Sequence, residues 1–517
     1  MTLSLPSEVL LYLVVPVLSA AIYWSRQRSH ASRSLPLPPG PKKWPLVGNL
    51  FHIPTTFEWE TYAHWSEVYN SDILHLDVAG KSIIIVNSQK VATELFEKRS
   101  ALYSSRARFV MVNELIGFDW LFGFMPYGEG WKERRRLFQQ HFHPLNTSSH
   151  QPIELEFTQK MLQQLLQTPH DFMSHIRHMV GAITITMAYG LDIRPSNDPY
   201  IEIAEQALIG LAAGAAPGAF LVDSLPFLKH VPAWFPGADF KRKAAEWRSW
   251  TRKMVEVPFR DAQKAINSGK AIPSFTSMCL GGLDESKDNT HKKKVIQETA
   301  ATFFVGGSDT TVSSLNTFIL AMTCYPEVQA KAQKELDRVL GPNALPDFGD
   351  EESLPYISAI VKEVLRWQTV TPLAIPHYLT EDDEYNGYFL PKGSVVVGNA
   401  WAMLHDKDEY NQPLVFQPER FLTPDGSKLD PNVREPTAAF GFGRRICPGK
   451  HMATSMLYIA IASILTVFEI SKAVDEDGNV IEPTRDYVSS MVSHPEPFKC
   501  SIKPRSKAAE ALVLSLG

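Results

Sequence analysis

A chain of 517 residues with 44% hydrophobic and 21% charged side chains has ample material for a large buried core, which excludes an intrinsically disordered protein. Its net charge of −5 offers no footprint for a polyanion, so no nucleic-acid partner is expected. The four cysteines (Cys279, Cys324, Cys447 and Cys500) are scattered with no CxxC pair, which excludes a disulfide framework and a structural zinc site and fits a reducing compartment.

Residues 9–24 are uncharged and mostly apolar, though short of the roughly 20 residues that cross a bilayer. No basic residue precedes this run, which argues against a cleaved signal peptide. Arg26, Arg28, Arg33, Lys42 and Lys43 follow it, and such an excess of positive charge stays cytosolic. The expectation is a single-pass N-terminal anchor over residues 1–24, with the N-terminus outside and the bulk of the chain in the cytosol. A basic, proline-rich hinge follows at 25–41. Its last seven residues, 35–41, hold four prolines, which favours a stiff extended spacer. The globule is expected over 42–505, with a C-terminal tail at 506–517. Asn146-Thr147-Ser148 matches a glycosylation acceptor that is silent in the cytosol.

Along the globule, Leu74, Leu76 and Val78 alternate with polar residues, Gly80-Lys81 turns the chain, and residues 83–86 return as a hairpin partner. A further short strand is expected at 394–397, after the turn at Pro391-Lys392-Gly393. Most other segments carry helical period. Ile357, Ile360, Val361, Val364 and Leu365 form one apolar face of a helix over 353–367, with Ser353 as its N-cap. Residues 292–325 read as a single helix ended by Pro326, about 50 Å long at 1.5 Å per residue. The fold class is mainly α with small β-sheets, without internal repeats.

Two runs are poor building material and therefore informative. Gly306-Gly307-Ser308-Asp309-Thr310-Thr311 sits in the middle of the long helix, where each glycine costs about 1 kcal/mol relative to alanine. Its hydroxyls can also take over backbone carbonyls. Such a run suits a place where the helix opens beside a small molecule. The other run is Phe440-Gly441-Phe442-Gly443-Arg444-Arg445-Ile446-Cys447-Pro448-Gly449. Glycines let backbone pass close to a flat object. Nearby N–H groups could hold the sulfur as a thiolate, the form that binds metal. A thiolate on haem iron favours O–O cleavage. The bland alternative is an inert buried cysteine, which the glycine frame and Arg445 argue against.

The pattern Phe-x-x-Gly-x-Arg-x-Cys-x-Gly, filled by Phe440, Gly443, Arg445, Cys447 and Gly449, resembles the haem-binding loop of the cytochrome P450 superfamily. The resemblance covers roughly residues 35–505. It implies the cytochrome P450 fold and haem b (iron protoporphyrin IX) with Cys447 as the axial ligand of the iron. Gly306 to Thr311 resembles the superfamily's oxygen-binding groove, which implies Asp309 and Thr310 as the proton-delivery pair. Glu363 and Arg366, three apart on one helical face, would contribute well under 1 kcal/mol as a surface pair. With Pro418-Glu419-Arg420-Phe421 they resemble instead a buried structural triad of Glu363, Arg366 and Arg420. Trp131 and Arg135 resemble the Trp-x-x-x-Arg that faces the haem propionates; Arg445 joins them from the cysteine loop, and His377 fills a slot the family gives to His or Arg. Lys132, Arg134, Arg136, Arg444 and Lys450 read either as a solvated face or as a dock for an acidic reductase.

The chain has no GxGxxG after a strand and no Walker lysine. Electrons are therefore expected from NADPH through a separate cytochrome P450 reductase, with cytochrome b5 as an optional second donor. The proline-rich hinge is similar to that of microsomal members, which implies the endoplasmic reticulum membrane with the catalytic domain facing the cytosol. The implied reaction inserts one oxygen atom of O₂ into a substrate. A haem-thiolate isomerase or dehydratase acting without O₂, and a non-catalytic haem protein, are the rivals; the retained Asp309 and Thr310 argue against both. By family analogy the pocket is lined from residues 109–124, 208–216, 303–305, 373–375 and 488–491. These are apolar and partly aromatic, which suits a lipophilic or aromatic small molecule. Residues 125–131, 231–237 and 372–376 are similar to basidiomycete secondary-metabolism members, tryptamine hydroxylases among them. Indole, terpenoid and polyketide substrates all remain open.

Overall fold

The long helical pattern at 292–325 is one continuous helix, Thr290–Cys324, and the rest of the chain is arranged around it. The computed structural model describes residues 35–516 apart from 217, 342 and 343. The anchor expected at 1–24 and hinge residues 25–34 lie outside the described residues. In chain order the principal helices are α1 (Glu58–Val68), α2 (Glu129–His141), α3 (Gln151–Gln167), α4 (Phe172–Tyr189), α5 (Pro199–Ala215), α6 (Asp239–Asn267), α7 (Thr290–Cys324), α8 (Pro326–Leu340), α9 (Pro355–Trp367) and α10 (Lys450–Val467). Helix α7 is buried on every side over residues 311–323 and packs against α2, α4, α6, α9 and α10. Helix α10 is apolar and long enough to cross a membrane, but residues 456–465 are all buried in the core.

A five-stranded sheet forms the second layer, in the order β1-β2-β5-β4-β3: β1 (Ile73–Val78), β2 (Lys81–Val86), β3 (Ser105–Arg106), β4 (His377–Tyr378) and β5 (Val395–Gly398). The expected hairpin is β1–β2, in register from Ile73↔Val86 to Val78↔Lys81. Strand β5 starts one residue later than expected because Ser394 closes the preceding turn, bonding back to Pro391 through both its N–H and its hydroxyl. The short β3–β4 pairing sets Arg106 directly opposite His377.

Two expectations need correction. Ser353 does not cap α9: it ends a separate turn, and Pro355 opens the helix, a position where no N–H is needed. The next two N–H groups, of Tyr356 and Ile357, donate to the Glu335 carboxylate of α8 at 3.0–3.2 Å. Nor do the last residues form a free tail. Lys507–Leu514 is a helix capped by Ser506, with Ala509 and Val513 buried where it packs on α3 and α10. A boundary at 505 therefore cuts through packed structure.

Helix α3 buries Glu154 completely. One carboxylate oxygen accepts from Ser455 at 2.6 Å, and the other has no partner among the described residues. Burial pushes the carboxyl up from about 4.5 to about 7, only partly offset by the Ser455 hydroxyl. The folded state thus holds this proton more tightly than the unfolded chain, so stability falls as pH rises from 4.5 towards 7 and is level above that. Glu154→Gln should accordingly raise the melting temperature at pH 8, by up to about 3 kcal/mol of stability, and leave it unchanged near pH 4.5. Thermal scans of both proteins across this range check the sign.

Candidate active site

Between α7 and the loop preceding α10 lies a cavity with about 1740 Å³ of space unfilled by protein atoms, part of it continuous with solvent. Its two opposed walls are the two runs that made poor building material. On one wall, Cys447 presents its thiol to the cavity, held by its N–H bonding to the Phe440 carbonyl at 2.8 Å. Gly443 is indispensable here: its φ is +54°, and a Cβ would stand 2.0 Å from the Phe96 carbonyl oxygen. Burial pushes the Cys447 thiol up, while the Gly449 N–H, Arg135 and Lys450 pull it down. A metal cation opposite the sulfur would reverse the balance, because a coordinating thiol is deprotonated outright.

Around the same wall are cations with no anion. Arg135 on α2 donates to the Ile446 carbonyl at 2.7 Å. The Arg445 guanidinium stacks 4.7 Å from the centre of the Trp131 ring and donates through Nη2 to Met125 O at 2.5 Å. Its Nη1 is buried with no partner among the described residues. Burial and the neighbouring Arg135 lower Arg445 to about 9. Arg106, which the sequence reading missed, donates to Gly123 O at 3.1 Å and Ile375 O at 2.5 Å. Beside it, His377 donates from Nδ1 to Tyr103 O at 2.7 Å, and burial together with the Arg106 charge holds its imidazole neutral. Among the described residues no carboxylate pairs with Arg106, Arg135 or Arg445.

On the opposite wall, two hydroxyls of α7 bond back into their own helix, Thr310 to Gly306 O at 2.8 Å and Ser314 to Thr310 O at 3.3 Å, and Ser308, which does not line the cavity, bonds likewise to Phe304 O. Asp309 has a partner on each oxygen, Arg177 of α4 on Oδ1 and His494 on Oδ2, both at 3.1 Å. Burial alone would push this carboxyl up, but His494 and Arg177 outweigh it and hold it below its ordinary value. Neither partner belongs to a local motif, and only the fold brings them together.

Glu363 and Arg366 of α9 meet Arg420 in one buried cluster. Glu363 accepts from Arg366 Nε at 2.7 Å and Nη2 at 2.8 Å, and from Arg420 Nε at 3.2 Å. Glu363 and Arg366 are wholly buried, and the Arg420 side chain is 7% exposed. Of the five basic residues that could face a partner protein, Arg134 does not: it is buried and paired with Glu298 at 2.5 Å.

The family model for cytochrome P450 matches residues 38–502. The chain belongs to the cytochrome P450 family. It is 47% identical over 98% of its length to cytochrome P450 monooxygenase 98 of Postia placenta, covering 97% of that relative. It is 46% identical to the monooxygenase ple1 of Rhodocybe pseudopiperita, over 96% of each chain. To tryptamine 4-monooxygenase of Psilocybe cyanescens it is 43% identical over 96% of its own length and 98% of the relative's. The chain is a haem-thiolate monooxygenase, and its family implies a haem, a redox partner and a small-molecule substrate. Haem suits this P450's cavity: it is an anionic planar group, and the cavity carries a thiol on one wall and an unpartnered buried Arg445 nitrogen at its rim.

Proposed function

We propose that this monooxygenase oxidises a lipophilic or aromatic small molecule in fungal secondary metabolism, and that haem b sits between Cys447 and the Gly306–Thr311 stretch of α7. The observation that carries this reading is the buried Arg445 Nη1 without a partner, beside a thiol and two further unpaired arginines. Cys447 would supply the sulfur that holds the iron. Arg106, Arg135 and Arg445 would pair with the propionates, Trp131 carries the Arg445 guanidinium, and His377 would join them once negative charge raised its affinity for a proton. When bound, the haem supplies dioxygen activation and insertion of one oxygen atom into the substrate.

The chain's own part is to place protons and exclude water. Thr310 keeps its hydroxyl proton against the Gly306 carbonyl and can turn it to the cavity. Asp309 recharges that hydroxyl. As an anion held by Arg177 and His494, it takes up a proton only when one of those bonds opens, which meters delivery. Thr310→Ala should therefore leave NADPH oxidation running while product formed per NADPH falls by about ten-fold or more. Unchanged coupling would overturn the relay.

The electron supply in this reading is NADPH through a separate reductase, with cytochrome b5 as an optional second donor, docking on Lys132, Arg136, Arg444 and Lys450. The protein is placed in the endoplasmic reticulum membrane by an anchor at residues 1–24, with the catalytic domain facing the cytosol. Exposed Trp44, Leu46 and Phe51, just after the hinge, are apolar surface that a bilayer would cover. The relative named for tryptamine oxidation supports an aromatic substrate, and indole, terpenoid and polyketide frameworks all suit the apolar lining.

A further inference from the structure

Among the described residues lining the cavity, Asp309 is the one carboxylate. A ligand ammonium would look for it and find both oxygens taken, by Arg177 at 3.1 Å and His494 at 3.1 Å. Arg177 is itself clamped from the other side by Glu205 at 3.2 Å, so displacing it breaks two ion pairs. The remaining charges lining the cavity, Arg106, Arg135 and Arg445, are the cations assigned above to the propionates and offer an ammonium no anion. The rings of Phe122, Phe124, Phe138 and Phe303 offer a cation their faces, but that attraction is smaller than the penalty for taking an ammonium out of water unpaired.

Three of the hydroxyls lining the cavity are oriented by their own helix. Thr302, Thr310 and Ser314 each donate their hydroxyl proton to a carbonyl of α7, at 2.8, 2.8 and 3.3 Å. What they present to the cavity is an oxygen that accepts. An acceptor bonds a neutral O–H donor, which can then be buried at little cost, but it gives an ammonium no counter-charge.

We propose that the substrate of this cavity is electrically neutral, an apolar or aromatic body bearing at most hydroxyl or carbonyl groups, and not a protonated amine. This rests on the monooxygenase reading above and narrows it. It separates the chain's substrate class from that of an enzyme acting on an amine, whatever the ring system.

The test uses an isosteric pair that differs only in a fixed charge: N,N,N-trimethyltryptammonium and 3-(3,3-dimethylbutyl)indole. Neither has a nitrogen lone pair on its side chain to ligate iron. Equilibrium dialysis against the haem-loaded protein should give a dissociation constant at least ten-fold lower for the neutral member. In Arg177→Leu, and independently in His494→Leu, the freed Asp309 carboxylate should narrow that ratio by strengthening binding of the cation. A cation bound as tightly as its neutral isostere by the wild-type protein overturns the proposal, as does a ratio unmoved in folded forms of both variants. The reduced carbon monoxide spectrum is recorded on the same samples. A missing thiolate band overturns the monooxygenase reading itself, whereas a normal band with tight cation binding overturns only the neutral-substrate inference.

Discussion

Cys447→Ala should produce a folded protein that makes no product and shows no thiolate band in its reduced carbon monoxide spectrum. The side chain faces the cavity and is only half buried, so its removal leaves no hole in the main core. The loop's shape is kept by groups the substitution does not touch: the residue 447 N–H to Phe440 O, the positive φ of Gly443, and Phe442 stacked 5.2 Å from Phe96. Stability should therefore change by no more than about 1 kcal/mol. No other cysteine can stand in, since Cys279, Cys324 and Cys500 do not line the cavity. Circular dichroism melts, haem content and turnover measured on one preparation separate the chemical loss from unfolding. Retained turnover would place the iron ligand elsewhere.

What could be read from the sequence and what could not divides by distance along the chain. The cysteine loop, the Gly306–Thr311 run and the Glu363–Arg366 pair are each local, and spacing on a helix or in a tight loop fixes which atoms can meet. Helix α7 was legible because no proline interrupts the run from Thr290 to Tyr325 and Pro326 then ends it. Arg106 was not, because it reaches the site through a two-residue strand paired with His377, 271 positions away by numbering. The same holds for Arg177 and His494 on Asp309, and for Glu335 capping α9. One error was avoidable. Trp131, Arg134, Arg135 and Phe138 fall at i, i+3, i+4 and i+7 on α2, so Arg134 belongs to the inward face by period alone. Ser506 ahead of an Ala-rich run likewise signalled the terminal helix.

Glu363→Ala is the substitution expected to cost the most stability. An exposed Glu–Arg pair would be worth at most about 1 kcal/mol. Here the carboxylate is fully buried and receives two bonds from Arg366, one from Arg420 and one from the Gln417 N–H at 2.8 Å. Removing it strands two guanidiniums away from water, a loss of about 3–5 kcal/mol. The damage also travels. Arg366 holds the Leu404 carbonyl at 3.0 Å, and the short helix Ala400–Leu404 packs on Thr437–Phe440, where the cysteine loop begins. Loosening Arg366 thus loosens Phe440, whose carbonyl holds the Cys447 N–H. The expected outcome is a lowered melting temperature and a sharply reduced haem-to-protein ratio, with the residual loaded fraction giving the same products as the wild type. Arg366→Lys should not escape this fate, because a single ammonium cannot reproduce the two-pronged bond to Glu363 while also reaching Leu404. Pyridine haemochrome content set against product distribution decides the matter. A fully loaded Glu363→Ala enzyme with an altered product would mean that the triad shapes the substrate pocket instead of bracing the loop that carries Cys447.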